Sequence, residues 1–403
     1  MGVFKFADEQ QSQNRHVGPV IKVFGIGGGG SNAVEHMVQS HLYGVEFICA
    51  NTDMQALGKM SSPTSVQLGA ELTRGLGAGT NPEVGRQAAL ETREQIVEAL
   101  KGADMAFITA GMGGGTGTGA APVIAEVARE MGILTVGVVT RPFPFERRDL
   151  LAEQGIEELS QHVDSLITIP NAKLLKVYGN KISLIEAFKK ANNVLFEAVR
   201  GISDMITRPG MINLDFADVR NAMHNRGLAM MGTGVASGTD RAREATIKAI
   251  NSPLLDDIRL EGATGLLVSI AGNEDLGLEE YTTVGEIVEP LAAQGVAIKI
   301  GMIVDPDIGD DIRVTVVATG LVKAQTAATA GAHATATAAA RPRAPLGMQQ
   351  PAAPARTYED FDTPSVLKRQ QPPAPAAPAK PATEAAKSDF LNIPSFLRRQ
   401  QSE

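Results

Sequence analysis

Short apolar runs alternate with amphipathic stretches along residues 19–320. The apolar runs at 20–24, 45–50, 105–110 and 133–139 predict strands, and the segments between them carry glycine-rich loops and apolar positions at helical spacing. Alternating strands and helices predict an α/β fold, in which helices cover both faces of a mostly parallel sheet. Ligand-binding loops of such sheets lie at the carboxyl ends of the strands.

Two predicted helices stand out by their ends and their length. Asn81-Pro82-Glu83 combines a helix cap, a proline in the first turn and an acid near the dipole, so a helix is predicted from there towards Lys101-Gly102. Residues 183–207 form the longest helical stretch, and their apolar positions predict a helix that is buried on most sides and joins two domains. A second α/β region follows, with strands predicted at 265–271, 296–304 and 312–320.

The composition changes at about Ala324. Ala, Pro, Thr and Gln dominate through Lys387, and such a tract cannot bury enough apolar surface to fold, which predicts a disordered linker. Residues 389–401 turn apolar again and predict an anchor that lies in a groove of a partner protein. A related segment occurs at 360–371. The candidate partner-binding residues are Phe390, Leu391, Ile393, Pro394, Phe396 and Leu397.

The segment at 111–122, GMGGGTGTGAAP, carries the strongest chemical signal. Six glycines and two threonines occupy its first nine residues, between a predicted strand and a helical pattern at 122–131. Glycines let backbone N–H groups approach a ligand, hydroxyls add donors, and the following helix offers its free N–H groups and its positive dipole end. The segment is therefore predicted to bind phosphate. It has no lysine and so is not a Walker A loop.

Two further glycine-rich segments precede predicted helices. GIGGGG at 25–30 contains the G-x-G-x-x-G pattern, and Asp53 lies where a dinucleotide fold places its ribose-binding acid, so an NAD-dependent Rossmann oxidoreductase is one alternative. In the plainer interpretation, Ser31 and Asn32 cap the next helix. GLGAGTNPEVG at 75–85 is the third such segment. Together the three predict a nucleoside triphosphate site, with Mg²⁺ balancing the phosphate charge.

No obvious base accompanies these loops, so hydrolysis would need carboxylates from elsewhere in the sequence. The segment 213–220, NLDFADVR, offers Asp215 and Asp218, which share a face if the segment enters a helix. Two carboxylates there can polarise a water molecule and bind a cation. The alternative is that Asn213 or Asp215 only caps that helix, and the spacing supports the two interpretations equally.

Composition narrows the class of function. The net charge of the whole chain is −8, but it is unevenly distributed. Residues from Gln325 onward carry nine basic and six acidic side chains, so their net charge is +3 and that of residues 1–324 is −11. An acidic main part argues against nucleic-acid binding. The single cysteine, Cys49, lies in an apolar run and is predicted to be a packing residue in a reducing compartment. The sequence shows no signal peptide and no run of membrane-spanning length, so direct membrane insertion is not expected.

Several motifs together resemble the tubulin/FtsZ family. They occur between about Val20 and Gly320 and again in the C-terminal peptide. The glycine-threonine loop at 111–122 is the specific signature of the family. The motifs are GMGGGTGTGAAP at 111–122, GIGGGGSNAVEHM at 25–37, GLGAGTNPEVGRQAA at 75–89, NLDFADVR at 213–220, SPLL at 252–255 and DFLNIPSFLRRQ at 389–400.

The resemblance implies a Rossmann-type GTPase domain, a long central helix, a second α/β domain and a disordered tail. Members polymerise head to tail, and GTP held by one subunit is covered by the next. The implied setting is the cytoplasm, at the mid-cell division ring on the inner face of the membrane, where FtsA- and ZipA-type adaptors bind the C-terminal peptide. The implied organisation is a flexible N-terminus at 1–18, the GTP-binding domain at 19–182, the connecting helix at 183–208, a GTPase-activating domain at 209–323, the linker at 324–387 and the adaptor-binding peptide at 388–403.

The resemblance also implies roles for individual residues. Asn213, Asp215 and Asp218 would complete the hydrolytic centre of a neighbouring subunit, in trans. GTP or GDP, with Mg²⁺ on its phosphates, would occupy the glycine loops. The implied nucleotide-binding residues are Gly29, Gly30, Ser31, Asn32 and Ala33 in the first loop, Ala78 and Gly79 near the γ-phosphate, Gly113, Gly114, Thr116, Gly117 and Thr118 in the signature loop, Glu146 and Arg148 near the ribose, and Asn193 at the guanine.

The sequence departs from the family pattern at three places. Ser31 stands where the family has a fifth glycine, although its hydroxyl can also donate to phosphate. The segment 145–155 is slightly shorter than in the family, which changes the expected relation between Glu146 and Arg148. Asn193 replaces an aspartate and offers guanine one acceptor in place of two, which predicts a guanine preference weaker by roughly 1–3 kcal/mol. These departures leave a family-derived regulator with impaired hydrolysis as a second alternative.

Overall fold

A computed structural model of the chain describes residues 18–179, 182–208, 210–212, 214–224, 227–252, 263–293, 296 and 298–321. Asn213, the linker, the repeat at 360–371 and the C-terminal peptide lie outside these residues, as does nearly all of the predicted N-terminal segment. The predictions made for those parts of the sequence therefore stay predictions.

Strands and helices alternate through the first half of the chain, as the hydrophobic pattern predicts. A single 3₁₀ turn, Pro144–Glu146, precedes α7. The elements are β1 (Ile21–Ile26), α1 (Gly27–Gln39), β2 (Glu46–Asn51), α2 (Met54–Leu57), β3 (Thr64–Gln67), α3 (Ala70–Thr73), α4 (Pro82–Glu91), α5 (Arg93–Leu100), β4 (Met105–Gly111), α6 (Thr116–Glu130), β5 (Leu134–Arg141), α7 (Asp149–His162), β6 (Ser165–Pro170) and α8 (Asn171–Tyr178).

The second half begins with the long helix and continues as a further α/β region. Two 3₁₀ turns, Glu289–Leu291 and Pro306–Ile308, lie in its connections. The elements are α9 (Leu184–Thr207), β7 (Gly210–Ile212), α10 (Phe216–Met223), β8 (Gly227–Ala236), α11 (Arg241–Ile250), β9 (Gly265–Gly272), α12 (Leu278–Val288), β10 (Ile298–Val304) and β11 (Ile312–Thr319).

The described strands form one sheet in the order β3-β2-β1-β4-β5-β6-β8-β11-β9-β10-β7. The strands from β3 to β8 in this order pair in parallel. Beyond β8 the sheet is mixed, because β11 runs antiparallel to both β8 and β9, and β7 runs antiparallel to β10. The predicted α/β class with a parallel-rich sheet is confirmed. Ser165–Ile167 pair with Gly227–Ala229, so the sheet continues from one predicted domain into the other.

Helices bury both faces of the parallel sheet. Every residue of β1 is buried, as expected for a strand covered on two sides. Met37 of α1 and Ile202 of α9 belong to the core on one face, and Ile124 of α6 belongs to the core on the other. Cys49 lies in the first of these cores, where burial raises the pKa of its thiol above the usual value. This environment fits the predicted packing role and not that of a nucleophile.

The helix predicted from Asn81 towards Lys101 is in fact two helices. Its start is as expected, since Asn81 Oδ1 accepts a hydrogen bond from the Glu83 N–H at 3.1 Å. α4 ends before Thr92, whose hydroxyl donates to Ala88 O at 2.9 Å and accepts from the Gly69 N–H at 2.8 Å. A threonine that bonds back to the preceding turn competes with the regular helix pattern, which explains the break.

The helices that follow two glycine segments begin earlier than predicted. α1 starts at Gly27, inside GIGGGG, and α6 starts at Thr116, ahead of the predicted helical pattern at 122–131. Glycine is a poor helix former, so propensity predicts loops there. Packing of these glycines against neighbouring backbone overrides that preference, as the site geometry shows.

The long central helix α9 is less buried than predicted. Ser183 and Glu186 form a capping box at its start, with both hydrogen bonds at 3.2 Å. Its C-terminal part is in the core, but Leu184, Ile185 and Phe188 are 57%, 70% and 41% exposed, so the prediction of burial on most sides is wrong for the first turns. None of the helices in the described part of the chain is long and apolar enough to cross a membrane.

Candidate functional site

A cavity of about 330 Å³ lies at the carboxyl ends of the parallel strands. This is the edge at which ligands bind in open α/β sheets. The strand ends contribute Ile26, Gly111 and Thr140 to its wall. Of the residues implied by the family resemblance, those that line the cavity are Gly29, Asn32, Gly79, Gly114, Thr116, Gly117, Glu146 and Arg148.

The glycine loops pack backbone against backbone around this cavity. A Cβ atom added to Gly115 would lie 2.7 Å from Gly79 O and 2.9 Å from Ala78 O. One added to Gly30 would lie 2.2 Å from Thr109 O. Both distances are far below ordinary contact, so only glycine fits. The glycines thus bring the loops close together as well as opening them to a ligand.

Two helix N-termini point free N–H groups at the cavity. Neither the α1 cap, Ile26, nor the α6 cap, Gly115, accepts a hydrogen bond through a side chain, and neither helix has an acid in its first turn. Gly28 and Gly29 of α1 and Thr116 and Gly117 of α6 line the cavity. The first-turn N–H groups and positive dipole ends of both helices are therefore available to an anion. This geometry suits a chain of phosphates.

The threonine hydroxyls of the signature loop form hydrogen bonds within the protein. Thr116 Oγ1 lies 2.6 Å from Thr52 Oγ1, and Thr118 Oγ1 accepts a hydrogen bond from the Gly113 N–H at 2.8 Å. Thr118 is buried beneath the loop and does not line the cavity. Its hydroxyl holds the turn that shapes the anion site, which sequence reasoning did not distinguish from direct ligand contact.

Glu146 and Arg148 lie on the same cavity wall, even though segment 145–155 is short. Glu146 Oε1 accepts a hydrogen bond from the Phe143 N–H at 2.8 Å, which fixes the 3₁₀ turn. Phe143 packs edge-on against Phe188 of α9, with ring centroids 5.2 Å apart, and Phe188 lines the cavity. The cavity wall is thus partly aromatic, which suits a sugar and a base.

Asn171 is a site residue that the sequence analysis missed. It begins α8 directly after β6, it is only 4% exposed, and it lines the cavity. Its Oδ1 has no hydrogen-bond partner among the described residues. A buried amide oxygen without a partner is uncommon and calls for an explanation, and here it belongs to a residue on the cavity wall. No strand was predicted at 165–170, so nothing in the sequence placed Asn171 at the carboxyl end of a strand.

Several implied residues do not line the cavity. Asn193 is exposed, with its Oδ1 3.5 Å from His36 Nε2, whereas the neighbouring Asn192 is on the wall.

Ser31 is buried and does not cap α1, so the capping interpretation of Ser31 and Asn32 is wrong. Asp53 caps α2 by accepting from Gln55 and Ala56 N–H groups. The implied residues off the wall are Gly30, Ser31, Ala33, Ala78, Gly113, Thr118 and Asn193.

Asp215 and Asp218 lie at the start of α10, with Asp215 as its N-cap and Asp218 in its first turn. Asp215 Oδ1 accepts a hydrogen bond from the Asp218 N–H at 2.7 Å, so Asp215 does cap the helix. Asp218 Oδ1 pairs with Lys299 Nζ at 2.8 Å. Both carboxylates thus have local partners in this chain, while Asn213 lies outside the described residues.

α10 is fixed to the opposite edge of the sheet from the cavity. Met223 O accepts from Ser165 Oγ at 2.7 Å, and Arg220 Nη2 donates to Gly132 O at 3.3 Å. Ser165 begins β6 and Gly132 precedes β5, so both contacts lie at the amino ends of strands whose carboxyl ends border the cavity. A strand of this length separates the two edges by about 20 Å. The acids of α10 therefore do not reach the cavity of their own chain.

Comparison with known proteins agrees with this arrangement. The family model described as the Tubulin/FtsZ family, GTPase domain, matches residues 20–179, and that of the FtsZ family, C-terminal domain, matches residues 227–322. The chain is 57% identical over 389 residues to the cell division protein FtsZ of Pseudomonas putida, covering 95% of this chain and 97% of that protein. This chain belongs to the FtsZ family.

Other members of the FtsZ family are similar over most of their length. The cell division protein FtsZ of Pseudomonas aeruginosa is 56% identical over 384 residues, which cover 94% of this chain and 96% of that protein. A solved structure of an FtsZ dimer from M. jannaschii superposes with a TM-score of 0.72 at 44% identity, covering 77% of this chain and 89% of that one. The GTPase-domain match includes the glycine loops, Glu146, Arg148 and Asn171. This FtsZ-family chain is therefore a GTPase.

Proposed function

We propose that this chain is the self-assembling cytoskeletal GTPase of the bacterial division ring, forming head-to-tail filaments whose active sites are completed between adjacent subunits. The observation that carries the proposal is the separation of the phosphate-binding cavity from the acids of α10, at opposite edges of one sheet. A repeated contact between unlike surfaces builds an open filament. In such a contact the α10 edge of one subunit covers the cavity of the next, and Asn213, Asp215 and Asp218 enter it.

The nucleotide would lie with its phosphates on α1 and α6 and its sugar and base towards Glu146, Arg148 and Asn171. Across the described residues, no group of three or more His, Cys, Asp or Glu side chains is placed to hold a metal ion. Mg²⁺ keeps several waters and is commonly bound through substrate phosphates with few carboxylates. The cavity therefore fits Mg²⁺ that enters on the triphosphate, where it would neutralise phosphate charge.

Assembly-dependent hydrolysis is the decisive test of this proposal. Sedimentation with GTP and phosphate release would be measured over a range of protein concentrations. A critical concentration, with a hydrolysis rate per subunit that rises as filaments form, is the expected result. A regulator with impaired hydrolysis would polymerise or bind nucleotide without that rise, and would replace the proposal.

Guanine selectivity is expected to depend on Asn171. Replacing Asn171 by leucine keeps the branching at Cγ but removes the buried amide, so GDP affinity should fall by about 10- to 100-fold, with ADP affinity nearly unchanged. Competition between GDP and ADP for the purified protein measures this ratio.

Asn193 provides the contrasting variant. Because asparagine offers guanine one acceptor in place of two, Asn193→Asp should restore the second acceptor and raise the preference for GDP over ADP. If Asn193→Asp leaves that ratio unchanged while Asn171→Leu collapses it, base recognition belongs to the cavity wall and not to Asn193. An unchanged GDP preference in Asn171→Leu would contradict the assignment of Asn171.

The C-terminal peptide is proposed to hold filaments in the cytoplasm to the inner face of the membrane at mid-cell, through adaptors of FtsA and ZipA type. It offers Phe390, Ile393 and Phe396 as apolar anchors beside basic residues. Deleting the final 15 residues should weaken binding to such adaptors by at least about tenfold, because several buried anchors are lost together. Polymerisation should be unaffected.

This prediction is checked by adaptor affinity and by sedimentation of the same truncated protein. Substituting the related apolar residues Val366 and Leu367 in the 360–371 repeat, with the terminus intact, is the matched control. Adaptor affinity that survives the truncation, or is lost only in the repeat variant, would contradict the anchor role of the terminal peptide.

A further inference from the structure

We propose that His224 is a positioning residue for hydrolysis: by donating a hydrogen bond to Asp164, it fixes the end of α10 opposite to Asp215 and Asp218. The inference rests on the proposed function, because α10 matters to catalysis only if it presents its acids to a neighbouring subunit. His224 and Asp164 were not among the residues that the sequence pointed to.

The pair joins a half-exposed imidazole to a buried carboxylate. His224 Nδ1 lies 2.8 Å from Asp164 Oδ1, with the Asp164 side chain 3% exposed and that of His224 50% exposed. Asp164 Oδ2 accepts a hydrogen bond from the Thr135 N–H at 2.9 Å, and the Asp164 N–H donates to Thr135 O at 2.8 Å. The carboxylate is therefore fixed to β5. An ionised carboxylate only accepts hydrogen bonds, so Nδ1 carries the hydrogen in this contact.

Asp164 also holds the chain that leaves α10. Its carbonyl accepts a hydrogen bond from the Gly227 N–H at 3.0 Å, at the start of β8. His224 is the C-terminal cap of α10, and its N–H donates to Arg220 O at 2.7 Å. One buried residue thus contacts the chain on both sides of the connection between α10 and β8. The imidazole contact fixes where α10 ends relative to the sheet.

Hydroxyls hold the last carbonyls of the same helix. Ser165 Oγ donates to Met223 O at 2.7 Å, and Thr319 Oγ1 donates to Ala222 O at 2.6 Å. These contacts involve the backbone of α10, so they remain when the side chain of residue 224 is changed. Removal of the imidazole should therefore tilt or loosen the helix without detaching it from the sheet.

Apolar packing of Phe216 and Val219 holds the other end of α10 to the core, but within the described residues the acid side chains there have no hydrogen bond to a buried side chain comparable to that of His224. Asp218 pairs with Lys299, but their side chains are 30% and 38% exposed, and ion pairs in contact with water contribute little. The helix of eight residues is about 12 Å long, so a small rotation at His224 becomes a larger displacement at Asp215 and Asp218. Displacing a catalytic group by about 1 Å can lower a rate by up to about 100-fold.

The test compares His224→Ala with His224→Asn, whose amide nitrogen lies close to the position of Nδ1. We expect His224→Ala to lower hydrolysis per polymerised subunit by about tenfold, with nucleotide Kd and critical concentration within about twofold of the unmodified chain. His224→Asn should recover most of the lost rate. His162→Ala removes a histidine from the last turn of another helix, α7, and should leave the rate unchanged.

Three measurements decide the outcome: phosphate release, filament mass by sedimentation, and nucleotide affinity of unassembled protein. An unchanged rate per polymerised subunit in His224→Ala, or an Asn variant as slow as the Ala variant, overturns the role of the hydrogen bond. If His224→Ala fails to fold, the Asn variant alone must retain hydrolysis for the inference to stand. Asp218→Ala distinguishes a failure of the proposed function from a failure of the role of His224. Normal hydrolysis in Asp218→Ala refutes the proposed function. Slow hydrolysis in Asp218→Ala together with full activity in His224→Ala refutes only the role of His224.

Discussion

Replacing Asp218 by alanine is expected to lower GTP hydrolysis by about 10²- to 10⁴-fold while leaving nucleotide affinity within about twofold. The large effect follows from the loss of a carboxylate that orients water in the neighbour's cavity. Affinity is preserved because α10 is fixed at the opposite edge of its own sheet, through Ser165 and Gly132, and does not contribute to its own cavity. Phosphate release at saturating GTP and nucleotide binding to unassembled protein measure the two quantities separately.

Lys299→Ala is the matched control for this variant. It breaks the same 2.8 Å ion pair but keeps the carboxylate of Asp218. Since a partly exposed pair stabilises the fold by at most about 1 kcal/mol, Lys299→Ala should fold normally and retain most of the hydrolysis rate. Equal losses in the two variants would mean that the ion pair matters and the free carboxylate does not.

A mixing experiment tests directly whether Asp218 acts in trans. Apart from Gly114 itself and its two chain neighbours, no heavy atom of the described structure lies within 4 Å of a Cβ added there, so Gly114→Leu should fold and fill the cavity that Gly114 lines. Mixed filaments contain contacts in which the intact cavity of an Asp218→Ala subunit meets the intact α10 of a Gly114→Leu subunit. We therefore expect the mixture to hydrolyse GTP faster than either variant does alone. Loss of nucleotide binding in Asp218→Ala itself would contradict the assignment in trans.

Local signals predicted the parts of this fold that local chemistry determines. The helix start at Asn81 follows from a side-chain oxygen that accepts a hydrogen bond from the N–H group two residues later. The parallel-rich sheet follows from apolar runs that alternate with helical spacing. Glycine and threonine in one short segment were enough to predict an anion site at 111–122.

The other features depend on contacts between distant segments. Whether Gly27 belongs to a loop or a helix is decided by packing against Gly117, whose backbone nitrogen would lie 2.8 Å from an added Cβ. Asn171 has no local signature, because its significance lies in a buried, unpaired side-chain oxygen on a residue that lines the cavity. The position of α10 at the far edge is a property of sheet topology. The spacing of Asp215 and Asp218 therefore could not distinguish a cap from a catalytic pair, and the structure shows that Asp215 is a cap in its own subunit.

The second large effect is expected at Gly119, where α6 crosses α4. Alanine is favoured over glycine inside a helix by about 1 kcal/mol, so propensity alone predicts that Gly119→Ala stabilises the protein. A Cβ there would lie 1.9 Å from Pro82 O and 2.7 Å from the Arg86 nitrogen, which are backbone atoms that cannot move without shifting α4. Overpacking typically costs about 1–3 kcal/mol and occasionally more, and contacts this short with backbone atoms belong at the upper end, so the clash outweighs the propensity gain. The free energy of unfolding should fall by at least about 2 kcal/mol.

Nucleotide binding should weaken together with stability in Gly119→Ala, because α4 follows the loop that carries Gly79 and α6 carries Thr116 and Gly117 into the cavity. Gly285→Ala in α12 is the matched control, since its Cβ would meet only Ile300 Cδ1 at 3.6 Å, an ordinary contact. That variant should be unchanged or more stable by up to about 1 kcal/mol. Denaturant unfolding of both proteins decides the matter. Equal stabilities for the two variants would show that α4 shifts at this crossing to accommodate the added methyl group. The close backbone packing of the glycine loops would then not require Gly119.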